Sequence, residues 1–177
     1  MKTRQHTLLL IGCLLTPVPA HTGELTVGPR LEMTHPGKGH EVQLSGPAVA
    51  VDREGGVIVA WIAHEGHANH LYVGRPGTEA NTPVHVNPEG LTVDALHQPP
   101  GIAIGPGGEI YLSWSSGKAK PEGVLFASDL RLSRSIDGGR SFDHHLRVNE
   151  DRPIAHSFEG LAAAADGTVV LSWIDSR

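Results

Sequence analysis

The densest run of groups able to do chemistry is His64-Glu65-Gly66-His67-Ala68-Asn69-His70. Its histidines recur at every third position with a carboxylate beside the first. Imidazole nitrogen suits zinc and copper, so His64, His67 and His70 are the candidate metal ligands. The run lacks the His-Glu-x-x-His spacing of zinc proteases and reads as a polar loop. His156-Ser157 sets a base beside a hydroxyl, but sequence neighbours do not face each other as base and nucleophile. The stretch His156-Ser157-Phe158-Glu159 and the pair His144-His145 read as loop residues at strand edges. Gly105-Pro106-Gly107-Gly108 resembles a phosphate cradle in composition only. No helix follows to hold an anion, so it reads as a hairpin turn. Asn149-Glu150-Asp151-Arg152 reads as a solvated charged connector. No cofactor is expected, and no catalytic residue is assigned.

These residues hang on a repeat. Gly46 to Ala63, Pro99 to Ser116 and Phe158 to Asp175 align without a gap. Each opens with a short apolar run, turns at an aligned glycine (Gly55, Gly108, Gly167), and continues into a β-rich run ending in Trp61, Trp114 or Trp173. Two strands flanking a Gly-bearing turn make a hairpin. The runs are apolar without alternation, as in strands buried on both faces between stacked sheets. Two further runs follow the first two hairpins. They are His70-Leu71-Tyr72-Val73 with Val84-His85-Val86-Asn87, and Asp129 to Arg134 with His145-Leu146-Arg147-Val148-Asn149. Four strands per repeat of roughly 50 residues is the arithmetic of a propeller blade. The predicted fold is therefore all-β, a partial β-propeller of four-stranded antiparallel blades. Residues 46–177 hold two complete repeats and half of a third. Residues 21–45 precede them, with Leu25-Thr26-Val27 or Glu41-Val42-Gln43-Leu44 as a possible outer strand. The chain ends mid-repeat, so it reads as a truncated piece that would aggregate or oligomerise through its apolar edges.

Between the third and fourth runs of the second repeat stands Ser135-Ile136-Asp137-Gly138-Gly139-Arg140-Ser141-Phe142. This pattern, Ser-x-Asp-x-Gly-x-[Ser/Thr]-[Trp/Phe], resembles the Asp-box of the sialidase (BNR-repeat) superfamily. Ser and Asp side chains bond turn amides, glycines allow the tight path, and the aromatic packs beneath. The first repeat keeps only traces, in Val73-Gly74-Arg75-Pro76-Gly77. The resemblance implies a propeller that is six-bladed when intact. It also implies that Ser135, Asp137, Gly139 and Phe142 fasten a turn away from the catalytic face. Sialidases hold the substrate carboxylate with three arginines, whose guanidinium forks match it. They use a Tyr nucleophile paired with Glu and an Asp acid/base, a departure from the two-carboxylate scheme. Asp175-Ser176-Arg177 resembles the family's Asp-x-Arg ending, which makes Asp175 and Arg177 candidate substrate-binding residues. The family's Arg-Ile-Pro is absent; Phe158-Glu159-Gly160 stands at the comparable position.

Residues 1–20 read as a signal peptide, with Lys2 and Arg4 ahead of an apolar stretch and Val18-Pro19-Ala20 as a small-residue exit. Leu10-Ile11-Gly12-Cys13 also resembles a lipobox, which would anchor the chain by a lipid on Cys13. The expected location is periplasmic or secreted, with a lipoprotein as the alternative. The apolar run is too short for a transmembrane span, and none follows. Cys13 is the only cysteine, so disulfides and cysteine metal sites are excluded. A net charge of −5 excludes a basic nucleic-acid surface. Two functions stay open. One is an exported exo-glycosidase acting on sialylated or related glycans; the other is a non-catalytic propeller binding a glycan or a protein partner.

Overall fold

The computed structural model describes residues 7–10, 27–35, 42–77, 82–94, 98–118, 122 and 125–176. Among these every regular element is a strand and none is a helix. No helix among them is long and apolar enough to cross a membrane. Two four-stranded antiparallel meanders follow one another. The first sheet holds β3 (Gln43–Val51), β4 (Val57–Glu65), β5 (Ala68–Gly74) and β6 (Val84–His85). The second holds β7 (Gly101–Ile104), β8 (Ile110–Gly117), β9 (Ser128–Ser135) and β10 (Asp143–Arg147). A hairpin of β11 (His156–Ala163) and β12 (Val169–Asp175) completes the series. Ahead of them β1 (Thr7–Leu10), inside the segment read as a leader, pairs antiparallel with β2 (Leu31–Thr34). The first strands of the three units lie side by side, β3 against β7 and β7 against β11.

The sequence repeat is a repeat of pairing. Ala48 pairs with Ala60, Gly101 with Ser113 and Gly160 with Ser172, the positions that the ungapped alignment equates. Each hairpin closes through the same two bonds. The Gly55, Gly108 and Gly167 amides donate to the carbonyls of Asp52, Gly105 and Ala164 at 3.0, 3.1 and 3.0 Å. The amides of those three residues donate across to Gly56, Glu109 and Thr168 at 2.9, 2.8 and 2.8 Å. The turn glycines have φ of 83°, 88° and 89°, a region that a side chain disfavours. The opposite end is also repeated. β3 is bulged between Ser45 and Ala48, and β11 between Ser157 and Gly160. In the second unit the prolines Pro99 and Pro100 stand at this place, just before β7, where no ladder donor is needed.

Side-chain alternation then builds the core. Ile58, Ala60 and Ile62 of β4, with Leu71 and Val73 of β5, pack against Ile110, Leu112 and Trp114 of β8. The other face of the first sheet presents Val59 and Trp61, which Met33 of β2 covers. Trp61 and Trp114 are each 1% exposed, whereas Trp173 is 37% exposed. The far face of the second sheet is polar, with Ser113 and Ser115 buried against β11; the Ser115 hydroxyl donates to the His156 carbonyl at 3.1 Å.

Several local expectations change. His64 and Glu65 belong to β4 and Ala68–His70 to β5, so only Gly66 and His67 form a turn. Gly66, with φ of 65°, supplies the first central residue of that two-residue hairpin. His156–Glu159 is the bulged first half of β11, not a loop. His144 and His145 lie within β10, where a register shift gives His145 a φ of 27°. The strand within residues 21–45 that lies ahead of β3 is Leu31–Thr34; Gln43 and Leu44 begin β3, and Leu25-Thr26 falls outside the described residues.

Candidate functional site

The β9–β10 turn shows what the Asp-box does. The Ser135 hydroxyl donates to Asp137 Oδ1 at 2.8 Å and accepts from the Gly139 amide at 2.9 Å. Asp137 Oδ1 also accepts from the amides of Arg140 and Ser141, both at 3.0 Å. Asp137 Oδ2 accepts from the Ser141 hydroxyl at 2.6 Å. The Ser141 hydroxyl and amide hold the Asp137 carboxyl far below the ordinary carboxylate range. Gly138 and Gly139 have φ of 76° and 92°, and Phe142 packs half-buried on the core below. An Asp whose carboxylate accepts four bonds from its own turn is a fastener of that turn.

Asparagine makes a second fastener in each four-stranded sheet. The Leu71 amide donates to Asn87 Oδ1 at 2.6 Å, and the Leu130 amide donates to Asn149 Oδ1 at 2.7 Å. Asn149, read from sequence as part of a solvated connector, is therefore buried. Beyond it Asp151 pairs with Lys118 and Arg147 at the surface.

The chemically unusual groups sit at the bulged end. Glu159, in the β11 bulge, has both carboxylate oxygens buried without a hydrogen-bond partner. Gln98 beside it has its side-chain oxygen and nitrogen in the same condition. They share a crevice walled by Ile62, Val93, Trp114 and the two prolines Pro99 and Pro100, with Asp94 and Ser115 completing it. The crevice has no room for a water molecule. Burial pushes the Glu159 carboxyl up to about 7, and the negative charge of Asp94 adds to the rise. A carboxyl with that property holds its proton near neutrality. In the sequence Glu159 reads as a loop residue and as the occupant of the missing Arg-Ile-Pro position. Its burial follows from a bulge, which no residue pattern announced. At the turn end a cleft of about 290 Å³ opens among Val51, Arg53, Ile104, Pro106 and Ala164, without a cluster of titratable groups.

The three histidines chosen from spacing are not brought together. His64 pairs with Asn69 and Ala63 with His70, so His64 and His70 face opposite sides of the sheet. Both ring nitrogens of His64 are engaged, by the Ser45 hydroxyl at 2.8 Å and Asn69 Oδ1 at 2.7 Å. His67 is exposed in the turn. Among the described residues no group of three His, Cys, Asp or Glu side chains is arranged to hold a metal. His70 instead meets His85 of β6, with Nδ1 and Nε2 3.1 Å apart. Nearby, Tyr72 donates to Glu65 Oε1 at 3.0 Å; burial and that carboxylate push the phenol up to about 12. Asp175 ends β12 opposite His156 at the bulged end of the hairpin, and Arg177 lies outside the described residues.

Compared with known protein families and with curated proteins, the chain matches none.

Proposed function

We propose that the chain is part of an exported, sialidase-like β-propeller, a glycoside hydrolase of the exo-acting type on sialylated or related glycans. The observation that carries this reading is the Asp-box clasp, closed by four bonds to the Asp137 carboxylate, at the β9–β10 turn of a four-stranded unit that repeats in register. Side-by-side first strands support the radial arrangement of a propeller. Hydrolysis is supported by Glu159, a carboxyl that keeps its proton near neutrality beside a second carboxyl, Asp94.

A second reading, a non-catalytic propeller that binds a glycan or a protein, draws on two observations. The Glu159 crevice is too narrow for water, and a carboxyl stands where the resembled family has its Arg-Ile-Pro. A panel of fluorogenic sialosides and neutral exo-glycosides, run beside a glycan array, separates the two. Turnover establishes hydrolysis, array binding without turnover establishes the second reading, and neither overturns both.

A further inference from the structure

We propose that Ser45, His64 and Asn69 form an acyl-transfer site, an esterase centre for short carboxylic esters at the bulged end of the first sheet. The site rests on its own hydrogen bonds and is independent of the glycosidase reading. Ser45 pairs with Ile62 across the ladder, and His64 pairs with Asn69. Ile62 and His64 are two residues apart on β4, so alternation puts Ser45, His64 and Asn69 on one face. The direction of each bond is fixed from the far end. Asn69 Nδ2 donates to the Val93 carbonyl at 2.9 Å, so its Oδ1 is the atom that meets His64 Nδ1 at 2.7 Å. An amide oxygen only accepts, so Nδ1 carries the ring proton and Nε2 holds a lone pair. Ser45 Oγ, 2.8 Å away, donates to that lone pair. The chain of bonds thus runs nucleophile, base, positioning group.

All three residues are half-buried, which leaves the hydroxyl within reach of an ester from solvent. Another serine–histidine bond lacks that access. Ser133 meets His145 Nδ1 at 2.8 Å, but Ser133 is fully buried and its oxygen also accepts from Trp114 Nε1. Ser45 stands at the β3 bulge, where the ladder passes from Ser45↔Ile62 to Ala48↔Ala60 and omits Gly46 and Pro47. Proline has no amide hydrogen, so Gly46 supplies the only main-chain N–H of those two residues. The amide that follows a nucleophilic serine is a usual donor to the oxyanion of acyl transfer. A Cβ on Gly46 would lie 3.1 Å from the Pro99 Cα, so that side is closely walled and suits a short acyl group. In the reaction Ser45 Oγ bonds to the ester carbonyl carbon and its proton passes to His64 Nε2. The alcohol leaves with that proton. Water, deprotonated by the same nitrogen, then releases the acid and restores the hydroxyl.

The test treats the full chain with diisopropyl fluorophosphate and, separately, with p-nitrophenyl acetate. In the first, Ser45 Oγ bonds to phosphorus, fluoride leaves, and the proton passes to His64. Peptide mass spectrometry should place the adduct on Ser45. His64→Gln should slow its formation by about a hundredfold, the share of a general base. With p-nitrophenyl acetate, Ser45→Ala should reduce turnover to that of buffer. Asn69→Ala should lower kcat by about tenfold and leave KM unchanged, because Asn69 orients the base without touching the ester. Tryptophan fluorescence of each variant checks its fold, and the wild-type adduct is read without any variant. A wild type that takes no adduct at Ser45 from millimolar reagent would overturn the proposal. Adduct formation that His64→Gln leaves as fast, or ester turnover that survives Ser45→Ala, would overturn it equally.

Discussion

Replacing Glu159 by Gln removes a charge and keeps the shape, so it isolates what ionisation costs in the crevice. In the unfolded chain the carboxyl titrates at its ordinary value of 4.5; in the fold it titrates at about 7. Between those values the folded state keeps a proton that the unfolded state has lost. Stability is therefore fully present below about pH 4.5, declines as pH rises towards 7, and is level above that. A difference of about 2.5 pH units corresponds to about 3 kcal/mol at 1.36 kcal/mol per unit. That is a large share of a typical total of roughly 5–15 kcal/mol. Urea unfolding followed by tryptophan fluorescence at pH 4.5 to 8.5 measures it. Other groups titrate in this window, but they do so in both proteins, so the difference between wild type and E159Q carries the effect. E159Q should gain about 3 kcal/mol on the wild type across the window. A difference that stays flat with pH would refute the reasoning, because it would mean that solvent reaches the carboxylate.

Four further outcomes are expected. Ser135→Ala deletes the hydroxyl that joins Gly139 to Asp137, and should lower the unfolding free energy in urea by about 1–3 kcal/mol. Because the Asp137 carboxyl is held low by Ser141, its contribution should persist above about pH 4 and be lost only in stronger acid, as acid titration of unfolding will show. Gly101→Ala should destabilise by about 1–3 kcal/mol, since its methyl would overlap Ser113 Oγ and crowd Leu161, and adding Ser113→Ala should recover part of the loss. Trp114→Ala should cost about 3–5 kcal/mol in the same assay, and Trp173→Ala under half of that, because Trp173 is already 37% exposed.

The hairpins were legible because their determinants are local. An aligned glycine after two apolar strands specifies the turn, and the turn specifies the register, which is why Ala48↔Ala60, Gly101↔Ser113 and Gly160↔Ser172 came out of an alignment. The Asp-box was legible for the same reason, since every partner of Asp137 lies within four residues of it. The histidines were misjudged because spacing in sequence became spacing on a strand. Alternation put His64 and His70 on opposite faces, and the true neighbour of His70 came from fifteen residues away. Glu159 was overlooked as a buried group because its burial needs three units at once. The β11 bulge carries it, Trp114 of β8 and Ile62 of β4 wall it, and the prolines before β7 close it. Nothing within a few residues of Glu159 encodes that enclosure. β2 was missed because Leu31–Thr34 is short and is fixed by its partner strand and by the contact of Met33 with Trp61.

The tryptophans of the first two units share an orientation with a kinetic meaning. Trp61 is covered by β2, which precedes it in the chain, and Trp114 is covered by the sheet that precedes it. The bulkiest side chain of each sheet thus turns towards structure already synthesised. A ribosome delivers this chain in the order in which those surfaces can be sheltered. Each new tryptophan meets a finished neighbour and need not wait in water for sequence still to come. Assembly in this direction shortens the exposure of aggregation-prone strands, and a circular permutant that delivered β8 before β4 would lose that shelter.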